Sequence, residues 1–337
     1  MYKVPDFFRN SFEHVGETVA KLKAGRVTLG GKSAGGRDIY IIEYGEPNVY
    51  ERTANYSSAL GAGDISYYEK KDHPCLMIIG GTHGGEFEGT AAILNLFALL
   101  EDGKDLLGRE HTALLEMMKK CHIIFIPCIN PDGRCRVPFE GVAGMDHSEF
   151  RHYDQGNWAD GSLCGWPGCK AVHPIKNVEF LGGYFNDNHI NLMHDDFFNP
   201  MAEETKILLS WAAEHAPNAI ANLHGAADMG YGIYAPGYAS KADRELARGF
   251  EQRLKKRFTE NGVRYLETGC FGDKSEFNLT TALHLACGAL SITWESHQGV
   301  VGEAGEFPKE TVYKDILDAH FMFFEELFKL SLEKYEV

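Results

Sequence analysis

The chain has 337 residues, of which 44% are hydrophobic and 24% are charged, as in an ordinary soluble globular protein. This composition, with no low-complexity tract and no fixed-period repeat, excludes a disordered chain and a solenoid. The net charge of −15 makes nucleic acid and anionic membrane surfaces poor partners.

The predicted elements alternate between helix and strand along most of the chain. Short apolar runs flank glycine-rich turns in residues 27–47 and indicate a hairpin. Periodicity predicts helices at about 5–24, 86–101, 110–120, 200–215, 239–258, 275–286 and 307–333, and strands at 75–80, 122–127, 219–224, 231–235 and 289–294. The pattern predicts an α/β layered domain on a mostly parallel sheet.

Residues 133–185 interrupt this alternation with Gly, Asp, His, Trp and Pro in quick succession. We interpret them as an irregular excursion over the surface, and long stretches of this kind inside a compact domain are usually functional. No Pro- or Ser-rich linker divides the chain, so we expect one domain over residues 1–337.

The cellular location is predicted from the N-terminus and the cysteines. The first residues lack the continuous apolar core of a signal peptide, and no later run has the length of a membrane span, so we expect a cytoplasmic protein. Most of the eight cysteines stand singly in apolar runs, as reduced buried thiols do. Cys164 and Cys169 are too loosely spaced to predict a second metal site.

The segment IIGGTHGGEFEGT, residues 78–90, places His83 and Glu86 three residues apart just after an apolar run. Residues beyond the carboxyl end of a strand face the ligand crevice of an α/β sheet, and imidazole and carboxylate are both zinc donors. The four glycines around them would allow the close backbone approach that convergence needs. The alternative is a helix cap formed by His83, with Glu86 at the positive helix end.

Two further residues follow predicted strands and complete a hydrolytic site. A catalytic zinc ion usually keeps three protein ligands, and His224, placed after an apolar strand and before a glycine, is the candidate third ligand. Hydrolysis also needs a carboxylate that moves the proton of the attacking water, and Glu295 is the candidate general base. The alternatives are a satisfied core histidine and a salt-bridged strand-end glutamate.

Together these residues resemble the M14 zinc carboxypeptidases, the carboxypeptidase A-like metallopeptidases. The resemblance spans roughly residues 26–300, through GKSAGGRDIY, HGGE, NPDG at 130–133, His224 and the ITWE that ends at Glu295. It implies a mixed sheet sandwiched by helices. It also implies one Zn²⁺ ion held by His83, Glu86 and His224, with Glu295 as the general base.

The resemblance further implies an arginine downstream of NPDG that stabilises the oxyanion formed when water attacks the carbonyl. A guanidinium suits this role because it stays charged and presents several donors to oxygen. Arg151 is the best positional match, and Arg134 and Arg136 are fallbacks. Each of the three is equally compatible with a solvated loop position.

The chain departs from the family pattern at NHINLMHDDF, residues 188–197. The resemblance predicts an Asn-Arg pair here that grips the substrate's terminal carboxylate, but the arginine is missing. Asn191 and His194 are the substrate-binding candidates that remain. Either the substrate's free end is an amine or an amide-linked sugar peptide, or the clamp comes from the 133–185 excursion. A pocket tyrosine is open among four candidates, Tyr231, Tyr234, Tyr238 and Tyr265.

Three functional hypotheses follow. The first is a zinc-dependent hydrolase that cleaves an amide bond, most closely a metallo-carboxypeptidase-like peptidase with an altered substrate-terminus pocket. Its partner would be a small peptide or an acylated amino acid. The second is an N-acyl amino acid deacylase of the desuccinylase and aspartoacylase kind. The third is a non-catalytic binding protein that holds zinc. The sequence leaves the oligomeric state open.

Overall fold

The computed structural model of the protein describes residues 1–50, 53–64, 72–165, 168–170, 173–266, 276–301 and 311–333. The strands are β1 Arg26–Lys32, β2 Asp38–Tyr44, β3 Cys75–Ile79, β4 His122–Ile126, β5 Gly156–Trp158, β6 Val178–Leu181, β7 Ala219–Gly225, β8 Gly232–Tyr234 and β9 Leu290–Ser296. The helices are α1 Phe12–Val19, α2 Tyr56–Ala62, α3 Glu88–Asp102, α4 Thr112–Met118, α5 Pro131–Arg136, α6 His147–Gln155, α7 Glu203–His215, α8 Lys241–Glu260, α9 Leu279–Cys287 and α10 Val312–Leu332.

Seven strands form one sheet in the order β1-β2-β4-β3-β7-β9-β8. The four central strands run parallel to one another, while β1, β2 and β8 pair antiparallel at the two edges. Every residue of β3 and β4 is buried, as expected for central parallel strands covered on both faces. The expected mixed, mostly parallel sheet is therefore confirmed.

Helices cover both faces of this sheet, and side-chain alternation along the strands assigns each helix to a face. Leu76 and Ile78 of β3 pack with residues of α3, α8 and α10. Met77 and Ile79 of the same strand pack on the other face with residues of α7 and α9. The continuous apolar runs in the sequence reflect this two-sided burial.

The structure corrects several predicted boundaries. The helix expected over 5–24 is only α1, because the Ser11 side chain caps its start by accepting from the His14 amide. The helix expected from about 275 begins at Leu279 with Asn278 as its cap. The helix α2 was not predicted. Residues 307–310, predicted to begin the final helix, lie outside the described part of the chain, as does Cys270.

The excursion at 133–185 contains more regular structure than its sequence suggests. Its described residues include the end of α5, all of α6, and β5 paired antiparallel with β6 in a separate two-stranded sheet. Of the three buried residues of α6, only Phe150 is apolar, so the sequence of this helix shows no apolar stripe. Hydrophobic periodicity therefore does not predict short polar helices and strands of this kind.

Candidate active site

His83 and Glu86 lie in the connection between β3 and α3, at the carboxyl end of the parallel strands. Nδ1 of His83 is 2.9 Å from Oε1 of Glu86, and the two side chains are almost fully buried. The tight loop depends on Gly84, where a Cβ atom would come within 2.0 Å of the backbone of Gly133. Gly81 has φ of +63°, a conformation that suits glycine.

His224 completes a three-residue cluster from the second half of the chain. Its Nδ1 lies 2.8 Å from Oε2 of Glu86, and that oxygen also accepts from the amide of Gly225 at 3.1 Å. The rings of His83 and His224 meet edge to face with centroids 4.8 Å apart. Both histidines thus present Nδ1 to the same carboxylate, and the three residues offer metal-donor atoms within 4.8 Å of one another.

The electrostatics of this cluster fit a divalent metal. Burial opposes the ionisation of Glu86, but the two histidines hold the pKa of its carboxyl below the usual value. Burial lowers the pKa of His224, which keeps its imidazole neutral at neutral pH. Among the described residues, no lysine or arginine forms an ion pair with Glu86. Zinc binds neutral imidazole and ionised carboxylate, and His224 and Glu86 are held in these forms.

Two more buried acids lie near the cluster, and burial together with the charge of Glu86 opposes their ionisation. Burial and the charge of Glu86 raise the pKa of Glu88 to about 8, although Gln298 donates to its Oε2 at 3.0 Å. Burial, with the charges of Glu86 and Glu88, raises the pKa of Asp154 well above its ordinary value. Since carboxylates repel one another, a bound cation would be favoured here.

Glu295 is the cross-strand neighbour of His224. The two residues are register partners in the parallel pair β7 and β9, so their side chains leave the same face of the sheet about 5 Å apart. Each is the second-to-last residue of its strand, whereas the sequence predicted each to follow the strand directly. Burial, and then the charge of Glu86, raises the pKa of Glu295 well above its ordinary value.

Buried hydrogen bonds connect two sequence motifs, GKSAGGRDIY and NPDG, to the loop that carries His83. Buried Asp132, in the NPDG turn, accepts from Oγ of Ser33 at 2.5 Å and from Nη1 of Arg37 at 2.7 Å. Ser33 and Arg37 belong to the GKSAGGRDIY segment. Asn130 of the same turn donates to the carbonyl of Thr82 at 3.2 Å. The turn therefore fixes the loop that carries His83.

The three arginines considered for the oxyanion differ in their contacts. Arg134 is buried, donates to Asn10, Val137 and Phe139, and stacks on a phenyl ring. Arg136 donates to the carbonyls of Gly182 and Phe185. Both guanidinium groups therefore hold loops in place. Arg151, on α6, is half-buried, and its charge acts on Asp154, which in turn is affected by the charges of Glu86 and Glu295.

Asn191 lies against the metal-binding cluster. Its Oδ1 is 3.1 Å from Nε2 of His83 and also accepts from the Met193 amide at 3.0 Å. An acceptor on the far nitrogen of a metal-binding histidine fixes the tautomer that leaves Nδ1 available. Within the described residues, Nδ2 of Asn191 has no hydrogen-bond partner, although it is buried.

His194 lies in a short 3₁₀ turn at Leu192–His194, within the segment from which the expected arginine is missing. Its Nδ1 is 3.7 Å from Oε1 of Glu276, and the same oxygen accepts from Nζ of Lys170 at 2.9 Å. Burial and the positive charge of Lys170 lower the pKa of His194 to about 3. His194 is therefore neutral, and Lys170 supplies the positive charge at this position.

The neighbouring acids and tyrosines have other surroundings than the sequence suggested. Asp195 accepts from the amides of Asp196 and Ala202, so it stabilises the turn before α7. Of the candidate tyrosines, Tyr231 and Tyr265 pack on Phe258 in the core. The ring against the cluster belongs instead to Tyr184, which stacks on His83 at 3.7 Å between centroids.

Residues 15–299 match the zinc carboxypeptidase family, peptidase family M14. The chain belongs to the zinc carboxypeptidase family. Membership confirms the resemblance seen in the sequence, and it makes the protein a hydrolytic enzyme of the zinc metallopeptidase type. No curated protein gives a significant sequence match.

Solved structures of the zinc carboxypeptidase family share the fold at low identity. A putative carboxypeptidase from Burkholderia mallei superposes with a TM-score of 0.58 at 14% identity, over 96% of this chain and 68% of that one. A metallo-carboxypeptidase from Pseudomonas aeruginosa, in complex with (2-guanidinoethylmercapto)succinic acid, has a TM-score of 0.55 at 15% identity, over 96% of this chain and 69% of that one. Carboxypeptidase A from Helicoverpa armigera has a TM-score of 0.55 at 13% identity, over 98% of this chain and 74% of that one.

Within the part of the chain that the structure describes, no helix is both long and apolar enough to cross a bilayer.

Proposed function

We propose that this member of the zinc carboxypeptidase family cleaves an amide bond in a small peptide, with His83, Glu86 and His224 as the ligands of one catalytic Zn²⁺ ion. The observation that carries the proposal is the convergence of both Nδ1 atoms on the Glu86 carboxylate, at 2.9 and 2.8 Å. When bound there, zinc supplies a Lewis acid that polarises a carbonyl and acidifies water. The residues around it perform the remaining chemistry.

Glu295 acts as the general base in this proposal. Its register beside His224 places a carboxylate next to the point on which the ligands converge. It takes a proton from the attacking water and delivers it to the leaving nitrogen. The raised pKa of Glu295 suits that exchange, because a base poised nearer to neutral pH can both accept and return a proton.

Arg151 stabilises the oxyanion. Among the described residues no protein hydrogen bond occupies its guanidinium, whereas Arg134 and Arg136 are committed to backbone carbonyls. The charge of Arg151 also acts on Asp154, beside the site. An arginine whose donors are available can turn towards developing negative charge, where a preorganised donor has its largest effect.

Lys170 and His194 form the pocket for the free end of the substrate, with Asn191 between that pocket and the metal site. Lys170 comes from the excursion, so the structure supports the reading in which the missing clamp is supplied from there. An ammonium binds a carboxylate as a point charge rather than by the two-pronged contact of an arginine. Glu276 accepts from Nζ of Lys170 at 2.9 Å and so holds that ammonium in place.

A deacylase acting on N-acyl amino acids is the second candidate. The observation that favours it is the pocket itself, where a neutral His194 and a Lys-Glu pair stand in place of the clamp for a peptide carboxylate. Family membership favours both enzymatic functions over a non-catalytic binding protein.

A substrate panel distinguishes the two candidates. Zinc-loaded protein is incubated with short peptides that carry a free or an amidated C-terminus, and with N-acetyl and N-succinyl amino acids, and released amine is measured by mass spectrometry. Release of C-terminal residues from free peptides supports the peptidase, and release only from acylated amino acids supports the deacylase. Absence of turnover on the whole panel would overturn both. The Glu295→Gln variant controls for contaminating peptidases.

We also infer one domain and a cytoplasmic location. Both halves of the chain supply ligands to the same cluster, which supports a single hydrolase domain. The seven cysteines among the described residues are all free, as expected in a reducing compartment.

A further inference from the structure

A second cluster of two histidines and one glutamate lies at the opposite end of the same strands. It is formed by Glu43 in β2, His122 at the start of β4 and His215 at the end of α7. Their donor atoms lie within 4.8 Å of one another. The five-residue strand β3 separates the two ends by roughly 13 Å. This cluster is therefore distinct from the site of His83, Glu86 and His224.

We propose that Glu43, His122 and His215 form a second, structural binding site for a divalent transition metal, with Zn²⁺ as its ion. Two imidazoles and a carboxylate form a donor set that zinc accepts, with water in the fourth position. The proposal is independent of the catalytic function and adds a second ion to the one that the sequence predicts.

Glu43 and His122 already have the geometry of adjacent ligands. Nε2 of His122 is 2.9 Å from Oε1 of Glu43, and the pairing of Glu43 with Ile124 places both side chains on one face of the sheet. Donors on a tetrahedral zinc ion are about 3.3 Å apart, given bonds near 2.0 Å. A cation can therefore replace the shared proton with little movement of either residue.

The other nitrogen of His122 is also engaged. Nδ1 lies 3.3 Å from Sγ of Cys75, the register partner of His122 at the start of β3. A contact on the far nitrogen of a metal-binding histidine fixes the ring and its tautomer. His122 is 1% exposed, so its orientation is determined by these two contacts and by core packing.

His215 brings the third donor from a helix end. Its ring stacks on Trp211 and lies 5.5 Å from the ring of His122, measured between centroids. Within the described residues, neither ring nitrogen of His215 makes a hydrogen bond. It is the last residue of α7, where exposed carbonyl groups favour positive charge. Because His215 is half-buried, a small rotation of its ring can bring a nitrogen closer to the donor atoms of Glu43 and His122.

One positive charge competes with the ion. Nη2 of Arg26 lies 3.6 Å from Oε1 of Glu43, but its side chain is 46% exposed, and Nη1 also donates to the carbonyl of Gly45. The guanidinium can therefore move into solvent when a metal binds.

The test counts zinc ions bound per chain by equilibrium dialysis against micromolar Zn²⁺, followed by elemental analysis. The expected result is two ions in the wild-type chain, one in His215→Asn, one in the active-site variant His224→Asn, and none in the double variant. Glu43→Gln provides a second probe of the same site, and the circular dichroism of each variant checks folding. His147→Asn, a histidine outside both clusters, should retain two ions.

Arg26→Gln gives an independent readout in the opposite direction. If Glu43 binds the ion, removal of the competing cation should tighten the second site about two- to fivefold, as expected for one partly exposed ion pair. Wild-type protein that saturates at one ion, or His215→Asn protein that retains two, would overturn the proposal. Glu43→Gln protein that retains two ions would exclude Glu43 as a ligand and so would also overturn it.

Discussion

The two ends of the central strands hold the same donor set in different surroundings. At the carboxyl end, His83, Glu86 and His224 lie near further acids, and Glu295 stands beside them. At the amino end, Glu43, His122 and His215 have Arg26 nearby, and among the described residues no second carboxylate is a register partner of Glu43 or His122. Three metal donors are thus not enough for hydrolysis, which also needs a base and an oxyanion donor.

The comparison predicts first that chemistry depends on Glu295. Glu295→Gln should lower kcat by about 10²- to 10⁴-fold, because the amide cannot accept the proton of the attacking water. Zinc content should stay at the wild-type value. The matched variant at the other end, His215→Asn, should keep its hydrolytic rate. Equal rates in Glu295→Gln and wild type would remove the distinction between the two ends.

The second prediction concerns the oxyanion. Arg151→Gln should lower kcat/KM about 100-fold with unchanged zinc content, because a charged donor is lost where negative charge develops. Steady-state kinetics on the best substrate of the panel measure this loss. Arg244→Gln, on the exposed face of α8, is the control and should match the wild type. A loss in Arg136→Gln but not in Arg151→Gln would contradict this assignment and give the oxyanion role to Arg136.

The third prediction concerns the buried hydrogen bonds of Asp132, which hold the loop at the carboxyl end of the strands. The proposed ligands His83 and Glu86 lie on a loop that is held by the turn containing Asp132, so Asp132→Asn should lower the free energy of unfolding by about 2 kcal/mol at pH 7. Urea denaturation measures this difference. Asp38→Asn, which breaks only an exposed pair with Lys32, should cost less than about 1 kcal/mol.

The pH dependence of the Asp132 effect has a defined sign. Although burial opposes ionisation, hydrogen bonds from Ser33 and its neighbours lower the pKa of Asp132 below 3.8. The stabilisation is therefore complete above the unfolded value and is lost as the pH falls through the folded value. The gap between wild type and Asp132→Asn should narrow on acidification below about pH 4. A gap that widens would contradict the assignment.

The smallest expected effect is on substrate capture. Lys170→Met should raise KM about tenfold for substrates with a terminal carboxylate and leave kcat nearly unchanged, because it removes a point charge on the free end alone. Lys176→Met, in the same excursion but exposed, is the control. Equal KM values for free and amidated peptides in the wild type would argue against this pocket.

The sequence singles out the proposed ligands and the proposed base because each lies at the end of a predicted apolar strand, next to a turn. His83, Glu86, His224 and Glu295 all lie at the carboxyl ends of strands that were predicted within two residues. The sheet order did not follow from the sequence, since pairing between strands is long-range. The same applies to the contact of Asn191 with His83, across 108 positions.

The features that escaped prediction have two physical causes. Tyr184 and Lys170 lie in irregular segments, where no periodicity indicates which side chains turn inwards. His122 and His215 lie in regular elements, so each is read as an ordinary core or helix-end residue. Only the fold brings them to Glu43.

The most direct test of the account is anomalous X-ray diffraction from zinc-loaded crystals, recorded above and below the zinc absorption edge. The account predicts a peak bounded by Nδ1 of His83, Nδ1 of His224 and the carboxylate of Glu86, within about 2.2 Å of each donor. Density that places no zinc among these three residues in hydrolytically active protein would contradict it.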